Sequence, residues 1–554
     1  MTRGCAIALM VIALAAGLPL RFARLDVRPM HHDEANQAVK FGTLLERGEY
    51  RYDASDHHGP TLYYLTLPAA WLRGQGTLAS LDEWTLRGVT AVFGAATILL
   101  LPLLYPGIGR MAVATSAVLM ALSPAMVFYS RMFIQESLFA CFTLAFMIAV
   151  GRAMTGGAFI WSTLAGVAAG LAVATKETSV IVLPAALMAC AFASWSLGPD
   201  RSRGREVGVV AGLVSLAIAT AVAALFYSSF FTAPGAVLEP FRGAQTYLDR
   251  GIAPVSHAHS WYYYAGLLTY TSSGGLKWSE GLVVVLAIVG ALTAWRRPER
   301  TAEAPDRQHS SSRRVFWARY VTSYVAVTTA IFSIIPYKTP WNVLPFYVAA
   351  IVLAGIGFSQ LLHATISRAF AAVLVAACLV ASVHLGWQAW RASVIYASDS
   401  RNPYVYAQTV PDAVRMATRI RELAALHPDG SRMQVSVIAS PYEQWPLPWY
   451  LRMMPNVGYW TAPGDPVAMQ APVVVASTEH SAVIDALGDR YVSEFFGLRP
   501  EVLLALYVDR GLWERYLAKV AGDRAMADCL AAGPSLPQRC GHAPTVALWA
   551  TSAP

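Results

Sequence analysis

Four ionisable residues stand side by side near the start of the chain: His31, His32, Asp33 and Glu34. Asp33 is a candidate general base, because a carboxylate can take the proton of an acceptor hydroxyl. It is equally a candidate ligand for a divalent cation that would neutralise a leaving phosphate. The two acids could also cap a helix over residues 34–47, since negative charge stabilises a helix N-terminus. The residue types leave these three roles open.

Further ionisable residues stand at the ends of apolar runs, and they are Arg131, Glu136, Lys176, Glu177 and Lys338. Charged groups at membrane depth are costly and are therefore functional candidates. Arg131, as a planar fork, and Lys176, as a point charge, suit the oxygens of a phosphate. Long basic side chains at helix ends can instead extend to the membrane surface. The same two interpretations apply to Lys338.

A second polar cluster contains His57, His58 and Tyr63, with Asp53 and Asp56 close by in sequence. Histidine and aspartate side chains can bind a metal ion, but their spacing here matches no specific metal signature. Solvated histidines in a loop turn are the alternative.

The composition is typical of a polytopic membrane protein. Of the 554 residues, 56% are hydrophobic and 14% are charged. The net charge of +8 does not indicate nucleic-acid binding, because the arginines gather in short loops between apolar runs, where membrane orientation explains them. We therefore expect no nucleic-acid partner.

The sequence predicts about eleven transmembrane helices, since a helix needs about 17 to 25 residues to cross the hydrocarbon. The apolar runs lie at about residues 5–20, 87–105, 111–129, 133–151, 159–174, 178–196, 207–230, 280–295, 319–336, 342–362 and 369–390. The first run would also suit a signal peptide, but no clear cleavage site follows it, and we expect a retained anchor.

The charges of the short loops predict a cytoplasmic N-terminus, because the loops on that side hold most of the basic residues. Three arginines directly after the first run argue locally for the opposite orientation. With the N-terminus inside, the first loop (about residues 21–86) and the corners at Arg131, Lys176 and Lys338 face outward. We expect a protein of the plasma or inner membrane whose candidate residues converge on the extracytoplasmic face.

The pattern becomes that of a soluble protein from about residue 391, which predicts a membrane domain over 1–390 and an extracytoplasmic α/β domain over 391–554. In the second domain, residues 411–427 suit an amphipathic helix, 434–439 and 472–477 short strands, and 490–521 further helix. Cys529 and Cys540 could form a disulfide or remain free thiols.

Taken in order, several motifs resemble those of the GT-C glycosyltransferases of the protein mannosyltransferase and aminoarabinose transferase type. Asp33 and Glu34 match the Asp-Glu pair of the family's first outer loop. Residues 58–64 resemble its His-Pro-Pro-Leu-Tyr-Tyr-like segment, with Gly59 in place of the first Pro and Thr61 inserted. Residues 129–131 followed by 135–138 resemble the family's Arg and Asp-x-x-Leu segment, with Glu136 in place of the Asp. Residues 174–177 match its Thr-Lys-Gly or Thr-Lys-Glu corner, and Lys338 with residues 344–345 resembles its later basic and Leu-Pro corner. The resemblance covers residues 1–390, and segments 402–406 and 445–450 look more like a little-characterised subfamily named as flippase-activity-associated.

The resemblance implies a GT-C-like fold and a membrane glycosyltransferase that moves a sugar, with inversion, from a polyprenyl-phosphate-linked donor to an extracytoplasmic acceptor. Membrane lipid and a glycan, lipid or protein acceptor would be the other partners, as in protein glycosylation at the cell envelope. Mg²⁺ or Mn²⁺, held by Asp33, is the cofactor it allows. The implied site residues are Asp33 and Glu34 for catalysis, Arg131, Lys176 and Lys338 for the donor phosphate, and His58, Tyr63, Glu136 and Glu177 for substrate.

A lipid-linked glycan transporter or flippase-associated protein without catalysis is the alternative function. A transporter is expected to place ionisable groups near the bilayer midplane and to show two related halves. In this sequence the charges stand at the predicted outer ends of helices and no internal repeat is visible, which favours the enzyme.

Overall fold

The computed structural model describes residues 1–53, 58–197, 205–242, 257–295, 305–365, 367–486 and 488–531. The chain divides into two compact units, Met1–Gln408 and Thr409–Pro554. The division comes later than the predicted boundary at residue 390, because side chains of the intervening segment bond to the first unit. Gln408 donates to the carbonyl of Pro29 (2.8 Å), and Tyr129 donates to the carbonyl of Tyr404 (3.0 Å).

The first unit consists mainly of α-helices, with one short hairpin of strands β1 (Thr271–Ser273) and β2 (Leu276–Trp278). Its helices are α1 (Arg3–Phe22), α2 (His32–Arg47), α3 (Thr61–Leu72), α4 (Glu83–Leu100), α5 (Tyr105–Ile108), α6 (Arg110–Leu122), α7 (Pro124–Ser130), α8 (Glu136–Thr155), α9 (Ala158–Val173), α10 (Ser179–Ser196), α11 (Arg205–Tyr227), α12 (Glu239–Arg242), α13 (Tyr263–Thr269), α14 (Gly281–Ala294), α15 (Pro305–Ile334), α16 (Leu344–Ala364) and α17 (Arg368–Trp390).

Each predicted apolar run coincides with a helix, and α6 and α7 share one run. Among the described residues, seven helical segments are long and apolar enough to cross a membrane, and they contain α1, α4, α8, α10, α11, α16 and α17. The pair α6 and α7, bent by 57°, makes an eighth if it is one broken span. The apolar helices α9 and α14 are shorter, so the total of about eleven spans stays a prediction.

Glycines allow α14 and α16 to pack with their backbones close together. A Cβ atom on Gly357 would fall on the carbonyl oxygen of Leu286, and one on Gly290 would fall on the carbonyl oxygen of Leu353. Small residues at such contacts are typical of membrane helices, because lipid supplies no hydrophobic force that drives helices together.

Glu280, directly before α14, joins three helices through a carboxylate that is fully buried. Its Oε1 accepts hydrogen bonds from the Ser123 hydroxyl (3.0 Å) and the Ala125 amide (2.7 Å), at the break between α6 and α7. Its Oε2 accepts from the hydroxyl of Tyr347 on α16 (2.5 Å). Because a buried carboxylate needs such partners, the break in α6 and α7 is held in a defined geometry.

The second unit contains a five-stranded mixed sheet of order β4-β3-β5-β7-β6, in which β3 pairs in parallel with β4 and β5 and the remaining pairs are antiparallel. Its strands are β3 (Val435–Ile438), β4 (Val457–Trp460), β5 (Val473–Ser477), β6 (Tyr491–Arg499) and β7 (Val502–Asp509). Its helices are α18 (Pro411–Ala424), α19 (Leu447–Tyr450), α20 (Pro466–Met469), α21 (Ser481–Asp485) and α22 (Arg510–Ala531).

The predicted helix over 411–427 and the two predicted strands are confirmed within a few residues. The predicted helix over 490–521 is wrong in its first part, which forms β6 and β7, and right only from Arg510 onward. An apolar run such as Val502–Asp509 suits a buried strand as well as a helix, so periodicity alone does not decide between them. The left-handed conformation of Glu501 (φ 67°) lets the chain reverse into a hairpin. Cys540 and the side chain of Cys529 lie outside the described residues.

The close packing of α14 and α16 predicts that Gly357→Ala destabilises the protein. The new methyl group meets the backbone of Leu286, which cannot rotate away, and overpacking of this kind costs about 1–3 kcal/mol. Gly212→Ala on α11 is the matched control, because no atom lies within 4 Å of its added Cβ. Thermal unfolding in detergent should show a lower midpoint for Gly357→Ala alone, and equal midpoints would contradict the proposed contact.

Candidate functional site

The carboxylate of Glu34, on the first turn of α2, is fully buried and bonded to three parts of the chain. Arg87 of α4 donates to it from Nε (2.7 Å) and Nη2 (2.8 Å). The backbone amides of His31 (3.0 Å) and Phe133 (2.8 Å) donate to it as well. Glu34 therefore caps α2 and ties it both to α4 and to the segment between α7 and α8.

The arginines around Glu34 outweigh the cost of burying its charge. Burial alone would raise the pKa of the Glu34 carboxyl, but Arg87, together with Arg28 at 3.6 Å from Oε1, lowers it to about 2. Glu34 is thus a carboxylate at neutral pH whose oxygens are occupied by the protein itself. This placement gives Glu34 a structural role, and the catalytic role expected for it stays a prediction.

Asp33, next to Glu34 in sequence, has a very different environment. Its carboxylate is 41% exposed and lies 3.7 Å from Nδ1 of His31. The Asp33 amide donates to His31 Nδ1 (3.1 Å), so Nε2 carries the ring proton and donates to the carbonyl of Tyr406 (3.0 Å). Among the described residues no side chain donates a hydrogen bond to the Asp33 carboxylate. Its backbone is fixed while its oxygens remain accessible.

Arg131 bonds to the C-terminal end of α1. Its guanidinium donates to the carbonyl oxygens of Leu20 (3.0 Å), Arg21 (3.2 Å) and Arg24 (3.0 Å). Arg28 in turn donates to the carbonyl of Arg131 (2.6 Å). The structure therefore gives Arg131 a structural contact with α1, and its role toward a donor phosphate stays a prediction.

Lys176 lies between α9 and α10 and is buried with two partners. Its Nζ donates to Glu136 Oε1 at the start of α8 (2.5 Å) and to Asn342 Oδ1 before α16 (2.9 Å). The second oxygen of Glu136 is buried and has no hydrogen-bond partner among the described residues. Lys176 therefore shares its charge between two side chains, and Glu136 keeps one carboxylate oxygen that accepts no hydrogen bond from the described residues.

His58 and Glu177 join the two remaining predicted segments. His58 Nδ1 lies 2.7 Å from Glu177 Oε2, and Tyr52 donates to the other carboxylate oxygen (3.0 Å). Burial would lower the pKa of His58, but Glu177 raises it above its ordinary value. A Cβ on Gly59 would fall on the carbonyl of Ala174, so only glycine allows this contact.

Tyr63 is fully buried on α3, and its hydroxyl donates to the side chain of Gln37 on α2. Its ring packs against Tyr50 with 4.9 Å between the ring centroids. These contacts place Tyr63 in the packing between α2 and α3, and a contact with substrate stays a prediction.

Lys338 is held in a short extended pairing that the sequence did not reveal. Ala258 and Tyr337 form an isolated antiparallel bridge, and Lys338 Nζ donates to the carbonyls of His259 (3.2 Å) and Ile335. As with Arg131, the Lys338 ammonium is engaged with backbone, and binding of a donor phosphate stays a prediction.

Sequence reasoning missed a cluster of three residues, His257, His259 and Tyr406. His257 lies near Asp33, and the Tyr406 carbonyl accepts the hydrogen bond of His31. The Tyr406 hydroxyl bonds to His257 Nδ1 and lies 3.3 Å from His259 Nε2. Burial lowers the pKa of His257, an effect that the nearby Asp33 charge opposes. Asp33 and these histidines are far apart in sequence, and no spacing rule could have joined them. Two histidines separated by one residue were the only available signal.

A continuous series of contacts links Asp33 to Lys176. Asp33 lies beside His31, and the His31 ring packs edge-on against Trp341, with 5.8 Å between the centroids. The next residue, Asn342, accepts the hydrogen bond of Lys176. The structure therefore links an accessible carboxylate and a buried cation from distant segments through His31, Trp341 and Asn342.

The described residues do not form a metal site. Among them, no group of three or more histidine, cysteine, aspartate or glutamate side chains could hold a metal ion. Glu34 is occupied by arginine, which leaves Asp33 as the accessible carboxylate at this point. Asp56 and His57 lie outside the described residues. The expectation that Asp33 holds Mg²⁺ or Mn²⁺ therefore gains no support from the geometry and stays a prediction.

The first half of the chain is similar to a known family. A model described as dolichyl-phosphate-mannose-protein mannosyltransferase matches residues 11–234. That range contains the second half of α1, all of α2 to α11, and all the predicted site residues except Lys338. No curated protein matches the chain significantly.

Solved structures are similar over nearly the whole chain. ArnT from Cupriavidus metallidurans, bound to undecaprenyl phosphate, has a TM-score of 0.58 at 15% identity, over 91% of this chain and 98% of that one. The oligosaccharyltransferase AglB from Archaeoglobus fulgidus, with an inhibitory peptide and a dolichol-phosphate, has a TM-score of 0.56 at 13% identity, over 92% and 77%. A complex of the Archaeoglobus fulgidus oligosaccharyltransferase with Zn and sulfate has a TM-score of 0.53 at 14% identity, over 91% and 75%.

These likenesses confirm the predicted fold class, a GT-C-like helical membrane protein with a C-terminal α/β domain. The chain is an integral membrane protein, and the orientation of its termini stays a prediction. The finer assignment to the flippase-activity-associated subfamily is not confirmed.

Loss of charge at Glu34 should lower the stability of the fold, whereas loss of charge at Asp33 should not. Glu34→Gln leaves the buried Arg87 and Arg28 without a counter-charge, which costs about 3–5 kcal/mol of stability. Asp33→Asn, one residue away and partly exposed, should leave the unfolding midpoint nearly unchanged. Thermal unfolding in detergent measures both, and a Glu34→Gln protein as stable as wild type would remove the proposed role.

Stability should also depend on pH through Glu34. Its pKa is lowered from 4.5 to about 2 in the folded protein, so the carboxylate stabilises the fold fully above pH 4.5 and loses this effect as the pH falls toward 2. The difference in midpoint between wild type and Glu34→Gln should therefore shrink across that range. A difference that stays constant down to the lowest pH would contradict the shifted pKa.

Proposed function

We propose that the protein is a membrane glycosyltransferase that takes a sugar from a polyprenyl-phosphate-linked donor and transfers it, with inversion, to an extracytoplasmic acceptor. The observation that carries the proposal is the contrast between Asp33 and Glu34. One acid is fixed in position with its oxygens accessible, while the other is consumed in holding it there. A base needs this combination of reach and fixed position.

Asp33 takes the proton of the acceptor hydroxyl or amine as that group attacks the anomeric carbon of the donor sugar. The bond between the anomeric carbon and the phosphate oxygen breaks, and polyprenyl phosphate leaves with the electron pair. Attack from the side opposite the phosphate inverts the configuration at the anomeric carbon. The nearby imidazole of His257 is a candidate to take this proton from Asp33.

The leaving phosphate gains negative charge in this step and needs a cation near it. Lys176 is the candidate with side-chain partners, because its ammonium has three N–H donors and its bonds to Glu136 and Asn342 use two of them. Arg131 and Lys338 contribute positive charge at longer range, since their donors hold backbone carbonyls. The lipid phosphates named with ArnT and AglB are of the same chemical class as this leaving group.

The non-catalytic transporter is the weaker candidate. A transporter is expected to carry ionisable groups near the bilayer midplane. Asp33 and Lys176 instead lie outside the helical segments that qualify as spans. The same donor assay separates the two functions, since a transporter leaves the sugar on its lipid.

The proposal predicts that Asp33→Asn loses transfer and keeps the fold. Membranes that contain the wild-type protein and its native acceptors should convert undecaprenyl-phosphate-linked mannose or aminoarabinose into free undecaprenyl phosphate and glycosylated product. Loss of a general base should slow this conversion by about 10²- to 10⁴-fold. Chromatography of the lipid fraction measures the rate.

Arg47→Gln, on the same helix, is the matched control, because it changes an exposed charged residue in the last turn of α2, at the opposite end of the helix from Asp33. A wild-type rate in Asp33→Asn would remove the catalytic base. If wild-type membranes move the sugar-linked lipid across the bilayer but leave its sugar attached, the result would instead favour the transporter.

A further inference from the structure

A cavity of about 450 Å³ lies at the C-terminal end of α17, against the β1–β2 hairpin. The hairpin is fixed to α17 by a reciprocal pair of bonds, in which the Ser279 amide donates to Gln388 Oε1 (2.8 Å) and Gln388 Nε2 donates to the Ser279 carbonyl (3.0 Å). None of the described residues that line the cavity belongs to the network around Asp33 and Lys176. The cavity is therefore a second, preformed site.

The charge of this cavity is positive. Lys277 and Arg391 line it, with His384 beside them, and none of the described lining residues is an acid. The nearby carboxylates are engaged elsewhere, because Asp399 pairs with Arg401 (2.7 Å) and Glu280 faces α6, α7 and α16. Two basic groups without a counter-charge at one cavity indicate an anionic ligand.

The Arg391 side chain is held by aromatic rings, and it donates no hydrogen bond to any of the described residues. Its guanidinium lies over the rings of Trp387 (4.4 Å), Tyr396 (5.1 Å) and Trp278 (5.2 Å). Such stacking fixes the plane of the guanidinium but leaves its N–H donors unspent. The donors are thus available for the oxygens of an anion.

The face of α17 that leads to the cavity is apolar and exposed. Val373, Ala377 and Val380 recur at the helical spacing that continues through His384 and Trp387 to Arg391. Val373 is 64% exposed and Val380 is 71% exposed, in a span of which only 11% is buried. In a bilayer this stripe contacts acyl chains, and it ends at the basic cavity.

We propose that the cavity binds the phosphate headgroup of an anionic glycerophospholipid of the surrounding bilayer. The acyl chains of this lipid pack along the Val373–Val380 stripe, while its phosphate accepts hydrogen bonds from Arg391 and Lys277. The stripe argues for a lipid over a free anion, because a soluble phosphate would gain nothing from it. Trp387, near the end of the span, also supports this position, because tryptophan rings are enriched at the level of the lipid headgroups.

Native mass spectrometry of the full-length protein in detergent tests the proposal, with phosphatidylglycerol as the probe. Wild type should retain phosphatidylglycerol more strongly than zwitterionic phosphatidylcholine. Lys277→Glu and Arg391→Gln should each weaken phosphatidylglycerol binding by about tenfold or more, since each removes a charge-assisted hydrogen bond. Lys277 is exposed, so its substitution should leave the fold intact even if Arg391→Gln does not.

Arg368→Gln is the matched control, because it removes an exposed basic residue from the opposite end of the same helix. It should bind phosphatidylglycerol as wild type does. Wild-type binding by Lys277→Glu would overturn the site. Competition by inorganic phosphate at the same concentration as lipid would assign the cavity to a free anion. Displacement by undecaprenyl phosphate at lower concentration would make the donor carrier its occupant, and either result would overturn the proposed lipid.

Discussion

The buried ion pair between Glu34 and Arg87 is the interaction on which the arrangement of the candidate site depends. The four hydrogen bonds of the Glu34 carboxylate join α2, α4 and the segment between α7 and α8. Each carboxylate oxygen of Glu34 accepts two hydrogen bonds, because a carboxylate out of water is tolerated only when its lone pairs are satisfied. The position of Asp33 follows from this pair, since the two residues share the first turn of α2.

A second group of buried polar contacts fixes the break between α6 and α7 in the same way. Glu280 holds the break between α6 and α7, and the fully buried Arg21 donates to the carbonyls of Met120 (2.8 Å) and Ala121 (2.9 Å) at the same break. A break in a membrane helix frees carbonyls that lipid cannot satisfy. The two side chains compensate this break, and Arg131 directly follows the second half of the broken helix.

The cations of the first unit serve two purposes that sequence does not distinguish. Arg131, Arg21 and Lys338 bond to backbone carbonyls, whereas Lys176 and Arg391 present charge to a carboxylate or to a cavity. All five stand near helix ends, where either use is possible. Only the positions of the surrounding oxygens separate them, and most of those oxygens come from segments 40 or more residues away in sequence.

The sequence by itself determined the membrane class, the position of the apolar helices, and in the second unit the helix α18, the strands β3 and β5 and the later part of the helix at 490–521. These follow from local composition and periodicity, which a window of about twenty residues contains. The tertiary structure alone decided that Glu34 is consumed while Asp33 stays accessible, that His257 and Tyr406 join it, and that residues 491–509 form strands. Burial, counter-charges and strand partners come from distant segments, and local periodicity therefore cannot predict them.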